Sequence, residues 1–204
     1  DVILGTDPDA DRVAIAVPDG NGGFRKLSGN ELGCMLMEYV LNARTARKDL
    51  PEGAEVVRSI VSSPLADRIA EHYGVTMKAV LTGFKYIGGE ILALEEKGEE
   101  SKYIFGFEES YGYLTGTYVR DKDAVNAALM ICEMFSFYKS QNISLIQKLN
   151  ELYDKYGYCI KLDLIKPDLI SGKMMCNLFI NGYKDRELTL QKDGSYVYII
   201  DLNA

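Results

Sequence analysis

Three carboxylates alternate in Asp7-Pro8-Asp9-Ala10-Asp11-Arg12. A spacing of two places them on one side of an extended loop. Like charges that converge repel unless a cation lies between them. Their hard oxygens favour Mg2+ or Ca2+ over softer metals. An EF-hand loop starting at Asp7 needs Gly at its sixth position and Glu at its twelfth. Arg12 and Pro18 stand there, which excludes it. A Mg2+ loop completed by a phosphoryl oxygen suits Arg12, because a guanidinium matches phosphate geometry. The plain alternative is a solvated acidic turn.

A second chemical segment is Phe105-Gly106-Phe107-Glu108-Glu109-Ser110-Tyr111-Gly112-Tyr113. Glu108 and Glu109 at a strand end can accept hydrogen bonds from neighbouring sugar hydroxyls, and Ser110 can donate or accept. The alternative is a surface turn whose tyrosines serve the core. Thr82-Gly83-Phe84-Lys85-Tyr86-Ile87-Gly88-Gly89 carries a lysine among glycines, which suits a loop facing an anion. It lacks the Gly-Lys-Thr/Ser order of a P-loop. Arg120-Asp121-Lys122-Asp123 reads by itself as a capped, charged helix start. A dehalogenase-type phosphatase also begins with an apolar strand and Asp-x-Asp. It wants Thr or Ser two positions after the second Asp, where this chain has Asp11.

The elements that must position these segments alternate. Val2 to Leu4 reads as a short buried strand, Val13 to Val17 as a second, and Phe24 to Leu27 as a third after the Pro18–Gly23 turn cluster. Leu32, Met35, Leu36, Tyr39, Val40 and Ala43 then fall on one helical face. Ser28 and Glu31 have the capping-box spacing at its start. A β-branched run follows over Val56–Val61. Next comes a helix capped by Ser63-Pro64 and stopped by Gly74. Val75–Leu81 and Tyr103–Phe107 read as strands, and Ile87–Lys97 as a short helix. Glu108–Lys122 reads as a long loop, and a helix starts near Val125. Leu145, Ile146, Leu149, Leu152 and Tyr153 mark one more helix, ended by Gly157. Asp193-Gly194 between two strand-like runs signals a hairpin.

Such alternation predicts an α/β fold, a layered α/β/α domain with a mainly parallel mixed sheet. A short β segment of a neighbouring domain would precede it, and a β-hairpin tail would follow. Ligands in these folds bind at the carboxyl ends of the strands. That directs attention to the loops Gly5–Arg12, Ser62-Ser63, Thr82–Gly89 and Glu108–Lys122.

Composition bounds the function. The 204 residues carry 23 Lys+Arg against 30 Asp+Glu, a net charge of −7. That argues against sequence-independent nucleic-acid binding, which needs a basic stripe to displace counterions. No apolar run reaches the ~20 residues of a membrane span. Cys34, Cys132, Cys159 and Cys176 form no C-x-x-C pair. Cys34 and Cys132 read as reduced, buried thiols in helices, and a cytoplasmic protein without disulfides is expected. The single histidine, His72, reads as a structural or surface residue of an amphipathic helix. The chain opens on the strand-like Asp1-Val2-Ile3-Leu4 without Met, so a fragment of a longer protein is expected.

Taken together, the segments resemble the α-D-phosphohexomutases, the phosphoglucomutase/phosphomannomutase family. The resemblance rests on Asp7-Pro8-Asp9-Ala10-Asp11-Arg12 and on Gly106-Phe107-Glu108-Glu109-Ser110-Tyr111-Gly112. Thr82–Tyr86 and Arg120–Asp123 add to it, and it covers roughly Asp1 to Gly157. It implies that residues 1–23 end a second domain with the metal loop and that residues 24–140 form the third, sugar-recognition domain. Residues 141–204 would be a linker helix and tail. It implies Mg2+ on Asp7, Asp9 and Asp11, with Arg12 assisting the phosphoryl site. Glu108 and Ser110 would bind the sugar, with Lys85, Lys122 and Arg120 near the substrate. The implied reaction interconverts hexose 1-phosphate and hexose 6-phosphate through a phosphoserine and a hexose 1,6-bisphosphate. No Ser-His-Asn-Pro-like segment and no Arg-x-Ser-Gly-Thr-Glu loop are present. The nucleophile would therefore come from the remaining domains of a parent enzyme, and this chain alone would be inert. The Phe107-Glu108-Glu109-Ser110-Tyr111 form of the loop resembles the phosphoglucomutase side of the family. The competing readings are a non-catalytic sugar-phosphate-binding module and the dehalogenase-type phosphatase. Ser171-Gly172-Lys173 is only a faint echo of the family.

Overall fold

A computed structural model of the chain describes residues 1–162, 189–190 and 196–200. The order of elements begins with three antiparallel strands, β1 (Ile3–Thr6), β2 (Val13–Pro18) and β3 (Phe24–Lys26). In β2, Val13, Ile15 and Val17 are buried and alternate with half-buried Ala14 and Ala16, the period-2 pattern of a strand with one face on a core. β1 was expected to be buried. It lies instead at the edge of this sheet, and Ile3 is exposed.

Helix α1 (Gly29–Arg47) follows, with the expected capping box. Glu31 N–H donates to Ser28 Oγ (3.2 Å), and Ser28 N–H donates to Glu31 Oε2 (2.8 Å). A cap of this kind is worth about 1 kcal/mol. Residues Leu32 to Leu41 are buried all round the helix, not only on the face that the periodicity marks. The reason is position: α1 is covered by a sheet and by other helices. Gly33 allows the close approach, since a Cβ there would overlap the Phe107 ring.

The central sheet has the order β5-β4-β6-β7. β4 (Glu55–Ser59) runs parallel to both β5 (Thr76–Val80) and β6 (Tyr103–Glu108). β7 (Gly112–Thr115) runs antiparallel to β6. The sheet is therefore mixed and mostly parallel, as expected. β7 is a departure from the sequence, in which Glu108–Lys122 reads as one long loop. Tyr113 and Leu114 face opposite core clusters, one on each side of the sheet. Two apolar residues between glycines were too short a run to read as a strand.

Helix α3 (Phe84–Glu95) covers one face through Phe84, Ile87, Ile91 and Leu94. On the other face lie α1, α2 (Leu65–Tyr73), α4 (Ala124–Ser140) and α5 (Leu145–Tyr156), which share one core with β2. This is the α/β/α layering. α3 starts three residues before the expected Ile87, so Lys85 stands in its first turn. At α2, Pro64 occupies the cap position, and Ser63 Oγ accepts only a 3.3 Å bond from Leu65 N–H. Leu145, Leu149 and Leu152 bury α5 in the same core as α1. Each contributes about 1.5–3 kcal/mol, enough to hold a short amphipathic helix in place. Cys34 is buried as expected, whereas Cys132 is exposed on α4. His72 is exposed and stacks edge-on against Tyr73 and Tyr156.

After α5, β8 (Tyr158–Leu162) and β9 (Thr189–Leu190) both pair antiparallel with β10 (Tyr196–Ile200). The β9–β10 pairing agrees with the expected hairpin. Its Asp193-Gly194 turn and Ser171-Gly172-Lys173 lie outside the described residues. Among the described residues no helix is long and apolar enough to cross a membrane.

Candidate functional site

The loop between β1 and β2 closes on itself through Asp7. Asp7 N–H donates to the Arg12 carbonyl (3.2 Å), and Asp7 Oδ1 accepts from the backbone N–H of Asp11 (3.3 Å) and Arg12 (3.2 Å). Its other oxygen holds Arg12 Nε at 2.7 Å. The Arg12 guanidinium keeps the Asp7 carboxyl down to about 2, and Asp7 in turn raises Arg12. Ala10 takes a left-handed φ of 54° to turn the chain between Asp9 and Asp11.

Two bonds lock this loop to the rest of the fold. Ala124 N–H, the first of α4, donates to the Ala10 carbonyl (3.1 Å), and Val13 N–H donates to the Tyr111 carbonyl (3.2 Å). The α4 start is itself ordered by Asp123, whose side chain accepts from Val125 and Asn126 N–H at 2.8 and 3.1 Å. That is the helix cap expected from sequence. Tyr118 donates its hydroxyl to Asp123 Oδ2 (2.6 Å). Burial works against the Asp123 charge, yet these bonds outweigh it and the carboxyl falls below its ordinary value.

Lys122 joins the loops. Its Nζ lies 2.9 Å from Asp11 Oδ2 and 3.2 Å from Asp121 Oδ1, with its charge 6.0 Å from the Phe84 ring centre. Burial disfavours the ammonium, but the bonds to Asp11 and Asp121 prevail and its pKa is raised. Phe84 follows Gly83, and Gly83 N–H donates to Glu108 Oε1 at 2.6 Å. Asp11, Lys122, Phe84, Gly83 and Glu108 thus form one contiguous line across three loops. The Glu108 carboxyl is pushed up by burial; the Gly83 bond opposes this, and the nearby Glu109 charge adds to it.

Ser110 sits half-buried in the three-residue turn from β6 to β7. Tyr111 closes that turn with a φ of 69°. This is the left-handed position of a three-residue hairpin, usually taken by Gly. Lys26 lies over the Tyr111 ring at 4.8 Å. Lys85 is exposed beside Tyr86, with its ammonium 4.9 Å from that ring centre. Arg120 is not brought to this line: its guanidinium binds Glu95 near the far end of α3 and the Thr117 carbonyl. Arg12 is turned to Asp7, and Asp9 is exposed.

Among the described residues no three His, Cys, Asp or Glu side chains converge into a metal-holding group. Asp7 and Asp11 each pair with a cationic side chain instead. The donor chemistry still fits a hard divalent cation. Three carboxylates share one tight loop, and Asp11 Oδ1 is buried without a hydrogen bond. Carboxylate oxygens suited to a cation, and guanidinium and ammonium donors suited to an anion, thus stand side by side in these loops. The sequence reading offers Glu109, with Glu108, to sugar hydroxyls, whereas Glu109 Oε2 receives the Ser59 hydroxyl at 2.8 Å; Ser59, the Gly83 N–H and the Tyr118 hydroxyl are partners that it does not name. The signal available for Ser59 was its place at the carboxyl end of a parallel strand.

The family described as phosphoglucomutase/phosphomannomutase, alpha/beta/alpha domain III, matches residues 28–156. Human glucose 1,6-bisphosphate synthase is 41% identical over 164 residues, covering 78% of this chain and 26% of that protein. Phosphoglucomutase of Staphylococcus haemolyticus is 36% identical over 156 residues, covering 76% and 27%. The chain thus spans about a quarter of the length of these relatives. The structure of parafusin, a phosphoglucomutase from Paramecium, shares the fold with a TM-score of 0.59 at 20% identity, over 78% of this chain and 25% of that one. The chain therefore belongs to the phosphoglucomutase/phosphomannomutase family, and residues 28–156 match its α/β/α domain III.

Proposed function

We propose that this chain is the sugar-recognition part of an enzyme that interconverts hexose 1-phosphate and hexose 6-phosphate, with a hexose 1,6-bisphosphate between them. The observation that carries the reading is Lys122, which ties the carboxylate loop through Asp11 to the wall that holds Glu108. Residues 1–23 supply the metal loop, and residues 24–140 supply the sugar wall. A bound Mg2+ would neutralise charge on the phosphoryl oxygens, held by Asp7, Asp9 and Asp11.

The chain's own residues do the positioning. Arg12 meets the phosphoryl group with its remaining N–H donors. Lys122 and Lys85 hold the phosphate of the substrate. Glu108 and Ser110 accept and donate to ring hydroxyls, and burial of Glu108 keeps water from competing for those bonds. Phosphoryl transfer needs such positioning more than covalent help. The transferable phosphoryl group would sit on a serine of the parent enzyme's other domains.

The test titrates Mn2+ and then glucose 1-phosphate into the isotope-labelled chain. Mn2+ is expected to broaden the amides of Asp9–Arg12 first. Glucose 1-phosphate is then expected to shift Gly83, Ser110 and Gly112. Shifts scattered over other surfaces, or release of free phosphate, would overturn the reading.

A further inference from the structure

Glu108 and Glu109 leave the end of β6 toward different neighbours. Glu108 receives Gly83 N–H from the β5–α3 loop. Glu109 Oε2 receives the Ser59 hydroxyl (2.8 Å) from the end of β4. Ser62 Oγ lies 2.8 Å from Ser59 Oγ and 3.4 Å from Glu109 Oε2, so its one hydrogen can go to either oxygen. Both serines are wholly buried. A buried hydroxyl pair aimed at a carboxylate makes strong, charge-assisted bonds.

That serine loop is itself held from two sides. Arg58 binds Asp67 of α2 through two parallel bonds of 2.8 and 2.7 Å. The same guanidinium donates to the carbonyls of Ser59 (2.9 Å) and Ser62 (3.3 Å). Ser63 N–H donates to Asn30 Oδ1 of α1 (2.9 Å). Gly29, at the start of α1, has no room for a Cβ against the Glu109 carbonyl. The partner of this preorganised serine loop is the protein's own Glu109.

We propose that Glu109 is a positioning residue for sugar recognition. Its carboxylate, clamped by Ser59 and Ser62, pins the β6–β7 turn so that Glu108 and Ser110 keep their orientation toward substrate hydroxyls. The left-handed Tyr111 gives this pin its purpose. A strained turn persists only when its surroundings over-determine it. The inference deepens the function proposed above and rests on it for the identity of the sugar.

The experiment measures amide hydrogen exchange in the whole chain for wild type, Glu109→Ala, Glu109→Gln and the Ser59→Ala/Ser62→Ala pair. In Glu109→Ala the Gly83 amide, on the other side of the turn, should exchange at least about tenfold faster, while Val57 and Phe105 in the central strands stay within about twofold. Glu109→Gln keeps an acceptor oxygen and should restore Gly83 protection. The serine pair should reproduce Glu109→Ala, and combining the two should add nothing further, because they remove one interaction. Should Glu109→Ala not fold, Ser62→Ala alone gives the same test with a smaller acceleration.

A uniform acceleration of Gly83 and the central strands would reduce Glu109 to a structural role, and an unchanged Gly83 would remove the anchor. Glucose 1-phosphate and mannose 1-phosphate affinities should both fall in Glu109→Ala, by about the same factor. A changed preference between them would mean direct contact with the sugar and would overturn the positioning role. If the wild-type chain binds neither sugar phosphate, the functional reading fails, and Gly83 exchange still decides the anchor.

Discussion

Lys122 Nζ lies 2.9 Å from Asp11 Oδ2, so the segment before α4 reaches back to the loop between β1 and β2. Both side chains are more than two-thirds shielded from water. Their attraction is therefore stronger than that of an exposed pair, while each keeps a second ion pair when the other is lost, Lys122 with Asp121 (3.2 Å) and Asp11 with Arg12 Nε (3.8 Å). Lys122→Met and Asp11→Asn are each expected to destabilise the chain, with a coupling in the double variant of about 1 kcal/mol. Urea denaturation of the four proteins measures it. Strictly additive effects would show that the contact contributes nothing.

Glu108 gives a pH dependence with a definite sign. Burial raises its folded-state pKa above the ordinary 4.5. The folded state therefore binds its proton more tightly than the unfolded state does. That contribution to stability is full below the unfolded value of about 4.5 and is lost as pH rises through the folded value. Stability measured by urea between pH 4 and pH 7 should fall more steeply with pH in wild type than in Glu108→Gln. Equal slopes would mean that Glu108 titrates as an ordinary exposed carboxylate.

Asp123 caps α4 and receives the Tyr118 hydroxyl. Asp123→Ala should cost about 1–2 kcal/mol, more than Tyr118→Phe, because it removes the cap as well as the tyrosine's partner. The same variant should loosen the Ala124 N–H that holds the Ala10 carbonyl. Faster exchange of the Ala124 amide, beyond the change in global stability, is the expected readout.

Gly33 is required by contact and not by φ. A Cβ at this position would overlap the Phe107 ring of β6. Gly33→Ala should destabilise by about 1–3 kcal/mol despite alanine's better helix propensity. Phe107→Leu should recover part of that loss. A neutral or stabilising Gly33→Ala, read by thermal or urea unfolding, would refute the close packing of α1 on β6.

Local chemistry made much of this protein legible in its residues alone. Ser28 and Glu31 announce the start of α1, and the structure closes that capping box bond for bond. The strand and helix order follows from hydrophobic period, since each period is a property of neighbours in the chain. The two chemical segments, Asp7–Arg12 and Glu108–Ser110, stand out because their residue types are costly unless something answers their charge.

What only the tertiary structure decided is which groups answer one another. Asp11 and Lys122 lie far apart in sequence, as do Glu109 and Ser59, and nothing local selects either pair. Arg120, beside Lys122 in the chain, turns to Glu95 instead. β7 was hidden because a four-residue strand has too few side chains to show a period, and its ladder with β6 is a non-local bond set. The all-round burial of α1 was hidden for a related reason. A helix's own sequence marks the face that must be apolar, whereas the number of layers around it depends on where the sheet and the other helices come to rest.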